Sequence, residues 1–62
     1  MIDTKTVKKL SPNELIFARK DLRETIECQE LMARAGVATP KLNRYWDELL
    51  IVGCELLNRG IR

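Results

Sequence analysis

Chemistry on a protein surface needs groups that hold, give up or take up charge, and this chain offers four small sets of them. Glu27 with Glu30, and Asp47 with Glu48, are carboxylate pairs of the kind that share acid and base work in hydrolases. Cys28 and Cys54 are the only thiols. Arg19 and Arg23 stand four residues apart and share a helix face, a spacing that grips a phosphate or carboxylate. Lys41, Asn43 and Arg44 follow Thr39 closely, a cationic and hydrogen-bonding group suited to a nucleic acid or an acidic protein surface.

Catalysis finds no support among them. The 62 residues contain no histidine, and no glycine-rich phosphate loop or familiar nucleophile motif occurs. A carboxylate pair works as acid and base only in a water-excluding pocket that pulls the two pKa values apart, which a chain this short does not build. Both pairs are expected to be solvated. Two cysteines without histidine fall short of a structural zinc site. No residue is therefore assigned a catalytic, cofactor or metal role, and no small-molecule substrate is expected.

The elements that position these groups can be read from their ends. Ser11, Pro12 and Glu14 form a helix start, with Ser11 as cap, proline at the first helical position and Glu14 closing a capping box. Leu10 and Leu15 are spaced for a hydrophobic staple over it. Nothing then interrupts the chain before Gly36, so the first helix is expected over residues 12–35. Leu15, Ala18, Leu22, Ile26, Gln29 and Ala33 fall in one stripe of it, the core face. Phe17, Cys28, Leu31 and Ala35 fall on the other side, where a second contact is expected.

Thr39 and Pro40 repeat the arrangement of cap and proline, and the second helix is expected over residues 40–59, closed by Gly60. Leu42, Tyr45, Leu49, Val52 and Leu56 form one ridge of it. Trp46, Leu50, Gly53 and Leu57 form the ridge beside it. Two ridges exceed what one neighbouring helix covers, so the second is assigned to a dimer interface, with Gly53 at a close helix crossing. The fold expected is all-α: an antiparallel two-helix hairpin in a single domain, pairing into a four-helix bundle. Residues 1–10, basic and without a partner segment, are expected as a flexible arm.

In such a hairpin Cys28 lies opposite about residue 48, which sets Cys54 roughly 9 Å further along the axis, beyond disulfide reach. Both thiols are expected to be free, reduced and half-buried, as in a cytoplasmic protein. No apolar run follows the lysines of the first ten residues, and no stretch approaches a membrane span. The net charge of +2, from 11 basic and 9 acidic residues, selects no class of partner.

The most specific local signal is the run Ala35-Gly36-Val37-Ala38-Thr39-Pro40-Lys41-Leu42-Asn43-Arg44-Tyr45-Trp46. It resembles the turn and recognition helix of the TetR family of helix-turn-helix repressors, with Leu31, Ala35, Val37, Leu42 and Tyr45 at the apolar positions. The resemblance covers about a fifth of the chain. It implies that Lys41, Asn43 and Arg44 face DNA, with Asn43 reading adenine, Arg44 guanine or phosphate, and Lys41 or the Thr39 hydroxyl a phosphate. The same string also serves as a plain connection between antiparallel helices.

Three functions follow as expectations. The leading one is a small regulatory protein that dimerises and binds a larger protein as inhibitor or adaptor, with Arg19, Arg23, Thr39, Lys41, Asn43 and Arg44 as contact residues and Trp46, Leu50, Gly53 and Leu57 between the copies. The second is a DNA-binding regulator. The third is an RNA-binding hairpin dimer, similar in length and architecture alone to the repressor-of-primer type.

Overall fold

The structure, a computed structural model, describes residues Ile2 to Ile61. Met1, at the head of the expected arm, lies outside them. Three elements follow in order: a single 3-10 turn at Val7–Lys9, helix α1 at Pro12–Arg34 and helix α2 at Leu42–Asn58. The two long helices pack against each other as the expected hairpin.

Helix α1 begins as its sequence dictates. The Ser11 hydroxyl accepts from the Glu14 amide at 3.2 Å, and the Glu14 carboxylate accepts from the Ser11 amide at 2.9 Å. These bonds satisfy two of the amides that a helix start leaves without partners. Leu15 beneath them is fully buried, with Leu10 packed against the same core, which completes the staple. The helix then runs unbroken for 23 residues.

Both helices end in the same way. Gly36 takes a φ of 84° and Gly60 a φ of 74°, left-handed values that cost a glycine nothing. Val37 donates to the Met32 carbonyl and Gly36 to that of Ala33; Ile61 donates to Leu56 and Gly60 to Leu57. Each pair of crossed bonds is a Schellman motif. Ile61 carries its side chain back onto the core.

The start of α2 departs from expectation. Thr39 and Pro40 remain in the connection, α2 begins at Leu42, and Lys41 at its cap position makes no side-chain cap bond. The Thr39 carbonyl instead accepts from the Leu42 amide at 3.2 Å. The chain spends residues 37–41 on spanning between the helices, and this delays the helix by two residues.

The largest difference lies in residues 1–10, the expected arm. Asp3 folds the segment onto itself, its carboxylate accepting from the Lys5 and Thr6 amides at 3.0 and 2.7 Å. Val7 is only 3% exposed and joins Leu15, Leu22, Val52 and Leu56 in the core. Arg59 holds it there. Its guanidinium donates to the carbonyls of Leu10 at 2.8 Å, Lys8 at 3.1 Å and Val7 at 3.4 Å, and its Nε donates to Glu55 at 2.7 Å. The Ile2 amide donates to Glu48 at 3.0 Å, so this carboxylate, expected to be solvated, pins the head of the segment.

The core therefore occupies the end away from the turn. Ile26 is the last buried residue of α1 and Val52 the first of α2. Between them every residue is exposed or half-buried.

Replacing Arg59 by alanine strands three backbone carbonyls and frees the N-terminal segment. A loss of roughly 1–3 kcal/mol in urea unfolding is expected, with faster amide exchange at Leu10. Two carboxylates also tie stability to pH. The Thr6 amide and hydroxyl hold the Asp3 carboxyl below its ordinary value, and the Ser11 amide and hydroxyl do the same for Glu14. A lowered folded pKa gives stability that is present above the ordinary carboxylate range and lost as pH falls through the lowered one. The thermal midpoint should therefore fall between about pH 5 and pH 3, and Glu14→Gln, which keeps an acceptor but cannot titrate, should flatten that fall.

Candidate functional site

The molecule measures 38 × 20 × 14 Å. Its least dimension is little more than one helix diameter of about 10–12 Å. A slab one helix thick covers only one side of each helix, and the sequence of α2 supplies apolar residues for more than that side. The Leu49, Val52 and Leu56 ridge turns toward α1, with Val52 and Leu56 buried. The neighbouring ridge is left bare, with Trp46 48%, Leu50 67% and Leu57 75% exposed.

This ridge forms one wall of a groove of about 430 Å³, lined by Trp46, Leu49, Leu50, Gly53, Cys54, Leu57 and, from α1, Arg19. Nearer the turn, Trp46 and Leu49 face Arg23, Glu27 and Glu30 across the helix pair. The four residues expected at a dimer interface and the arginine pair expected to bind a partner thus share one surface. Its floor is apolar and its α1 rim is charged. An apolar strip with cationic and anionic side chains along its edge can bury the face of another helix and fix its direction by charge.

The remaining candidates stand elsewhere. Lys41, Asn43 and Arg44 are exposed at the start of α2 and Thr39 is half-buried before it. Close by in sequence, Leu31, Met32 and Val37 are exposed at the turn end. The structure therefore divides the expected contact residues into two places, the groove and the turn.

One expectation needs correction here. Cys28 and Cys54 are both exposed, where half-burial was expected. Phe17, Cys28, Leu31 and Ala35 meet no second element within the chain and face solvent, because the slab has no third layer. A Cβ built on Gly53 would meet nothing within 4 Å, so the space over it, where a crossing between copies is expected, is open in the single chain. Sequence reasoning did not place Glu27 and Glu30 near Trp46: expected as solvated carboxylates, they stand beside Trp46 and Leu49 nearer the turn, Glu27 exposed and Glu30 half-buried. Their row with Arg19 and Arg23 at steps of three and four residues was the available signal.

Compared with protein-family models, curated proteins and solved structures, the chain matches none of them. Among the described residues, no helix is long and apolar enough to cross a membrane.

Open space at Gly53 changes what substitution there should do. Gly53→Ala removes the helix penalty of glycine, about 1 kcal/mol, without meeting a neighbour in the chain. Thermal unfolding at low protein concentration should show stabilisation up to that size.

Proposed function

We propose that this chain is a small non-enzymatic regulatory protein that acts by contact: two copies pair through the α2 groove, and the turn end of the hairpin engages a larger protein as an inhibitor or adaptor. One observation carries the reading. Large apolar side chains are bare in two groups, Trp46, Leu50 and Leu57 along α2, and Leu31, Met32 and Val37 at the turn, with Ile16 and Phe17 bare besides near the start of α1. Single exposed apolar residues are ordinary on proteins, whereas grouped ones mark contact surfaces. Tryptophan and arginine beside each other in the groove are the side chains that contribute most at such surfaces. Lys41 and Arg44 add charge at the turn, suited to an acidic partner surface.

A DNA-binding regulator is the second reading. It is favoured by the exposure of Lys41, Asn43 and Arg44 together at the start of α2, the positions that the TetR-type resemblance assigns to DNA contact. The unbroken α1 leaves no loop where a helix-turn-helix domain carries one, which supports the protein-contact reading over it.

One set of variants separates the two. Immobilised wild-type chain should retain a specific protein from host extract, and Leu31→Glu with Val37→Glu should lose it while keeping its helical circular dichroism. Equal retention by both chains, or none by either, sinks the protein reading. For DNA, Lys41→Ala with Arg44→Ala should weaken duplex binding and flatten its salt dependence. A wild-type chain without salt-dependent binding to duplex DNA or RNA removes both nucleic-acid readings.

A further inference from the structure

Along the groove, α1 presents its charges in a definite order. Arg19 and Arg23 come first, and Glu27 and Glu30 follow toward the turn. Steps of four, four and three residues set them in one row on the helix. Just outside the row, Lys20 and Glu24 repeat the order of cation before anion. The stretch from Arg19 to Glu30 is half positive and half negative, with its midpoint between Arg23 and Glu27. Arg34, beside Glu27 and Glu30, adds a cation at the turn end of the row, where a half-turn about that midpoint sets it opposite the uncharged Ile16.

A row of this kind complements itself after a half-turn. A two-fold axis through the midpoint brings Arg23 to the partner's Glu27 and Arg19 to the partner's Glu30, and each pair forms twice. A parallel pairing, with its axis along the helices, would instead lay α1 over the partner's α2 and form none of these pairs. The antiparallel direction alone sets cations against anions along the row, so the charge order favours it.

The apolar ridge agrees with the same axis. Arg23 and Glu27 face Trp46 and Leu49, so an axis at the midpoint of the row crosses α2 between Trp46 and Leu50. The single tryptophan of the chain is then central, against the partner's Leu50, which is where the residues dominating an interface sit. The open space over Gly53, less than one turn beyond Leu50, has room for the edge of that indole.

We propose that the occupant of the groove is a second copy of this chain, docked antiparallel about a two-fold axis at the Trp46–Leu50 turn, with Arg19 and Arg23 paired to the partner's Glu30 and the partner's Glu27. The proposal rests on the self-association in the reading above and adds its direction and register.

Cross-linking reads the direction. In a chain carrying Cys28→Ser and Cys54→Ser, Leu50→Cys lies near the axis and should join to its own counterpart through a short thiol cross-linker. Leu57→Cys should not, because its two copies stand roughly 27 Å apart along the axis at about 1.5 Å per residue. Charge reversal reads the register. Arg19→Glu with Arg23→Glu should weaken the dimer at least about tenfold at low salt, and adding Glu27→Arg with Glu30→Arg to the same chain should restore it to within about threefold of wild type. Ready self-linking of Leu57→Cys, or a fourfold variant that stays dissociated while still helical by circular dichroism, overturns the antiparallel arrangement and leaves self-association standing. Sedimentation of the wild type as a monomer at every concentration overturns self-association itself.

Discussion

Two helices laid side by side make a layer, and a layer has no interior unless something closes its ends. In this chain the closure is Val7, delivered by the N-terminal segment and held by the Arg59 guanidinium on the carbonyls of Val7, Lys8 and Leu10. A planar donor fork suits this task, since it can reach several carbonyls from one fixed position. Glu55 holds the fork from behind at 2.7 Å. Val7 joins Leu15, Leu22, Val52 and Leu56 in one core, with Leu10 and Ile61 packed against it.

Closing one end leaves the molecule unequal. The end with the N-terminal segment is packed and tied, and the turn end carries Leu31, Met32 and Val37 in solvent. Helix α2 has a similar inequality around its circumference, with Val52 and Leu56 buried and Leu50 and Leu57 bare. In a chain of 62 residues a large share of apolar surface stays uncovered after folding. What is distinctive is its grouping. Apart from Ile16 and Phe17 near the start of α1, the bare large residues collect along one groove and at one turn, and contact with other proteins is the function proposed for both.

How much of the site was legible differs from residue to residue. The ridge of Trp46, Leu50, Gly53 and Leu57 follows from helical periodicity, because spacings of three and four residues fix a face whatever the helix packs on. Its exposure follows from having one neighbouring helix. Arg19 and Arg23 were visible as a pair, but their place beside Trp46 was not, since that depends on how α1 and α2 align along their axes. Glu27 and Glu30 looked like ordinary solubilising charges for the same reason. Gly53 shows the limit most plainly: the pattern marked it as unusual, and only the packed chain shows that its surroundings are empty.

The sequence by itself determined everything that a few neighbouring residues settle among themselves. The Ser11 and Glu14 capping box, the left-handed glycines at 36 and 60 and the unbroken α1 between Ser11 and Gly36 rest on bonds spanning three to five residues, so their geometry is written in local spacing. Thr39 and Pro40 mark the boundary of that rule, because a cap that is favourable locally gave way to the distance the connection had to span. Tertiary structure alone decided the fate of the N-terminal segment. Its fixing bonds run from Arg59 and Glu48 across 46 to 52 residues of chain, and neither periodicity nor capping reports a partner that far away.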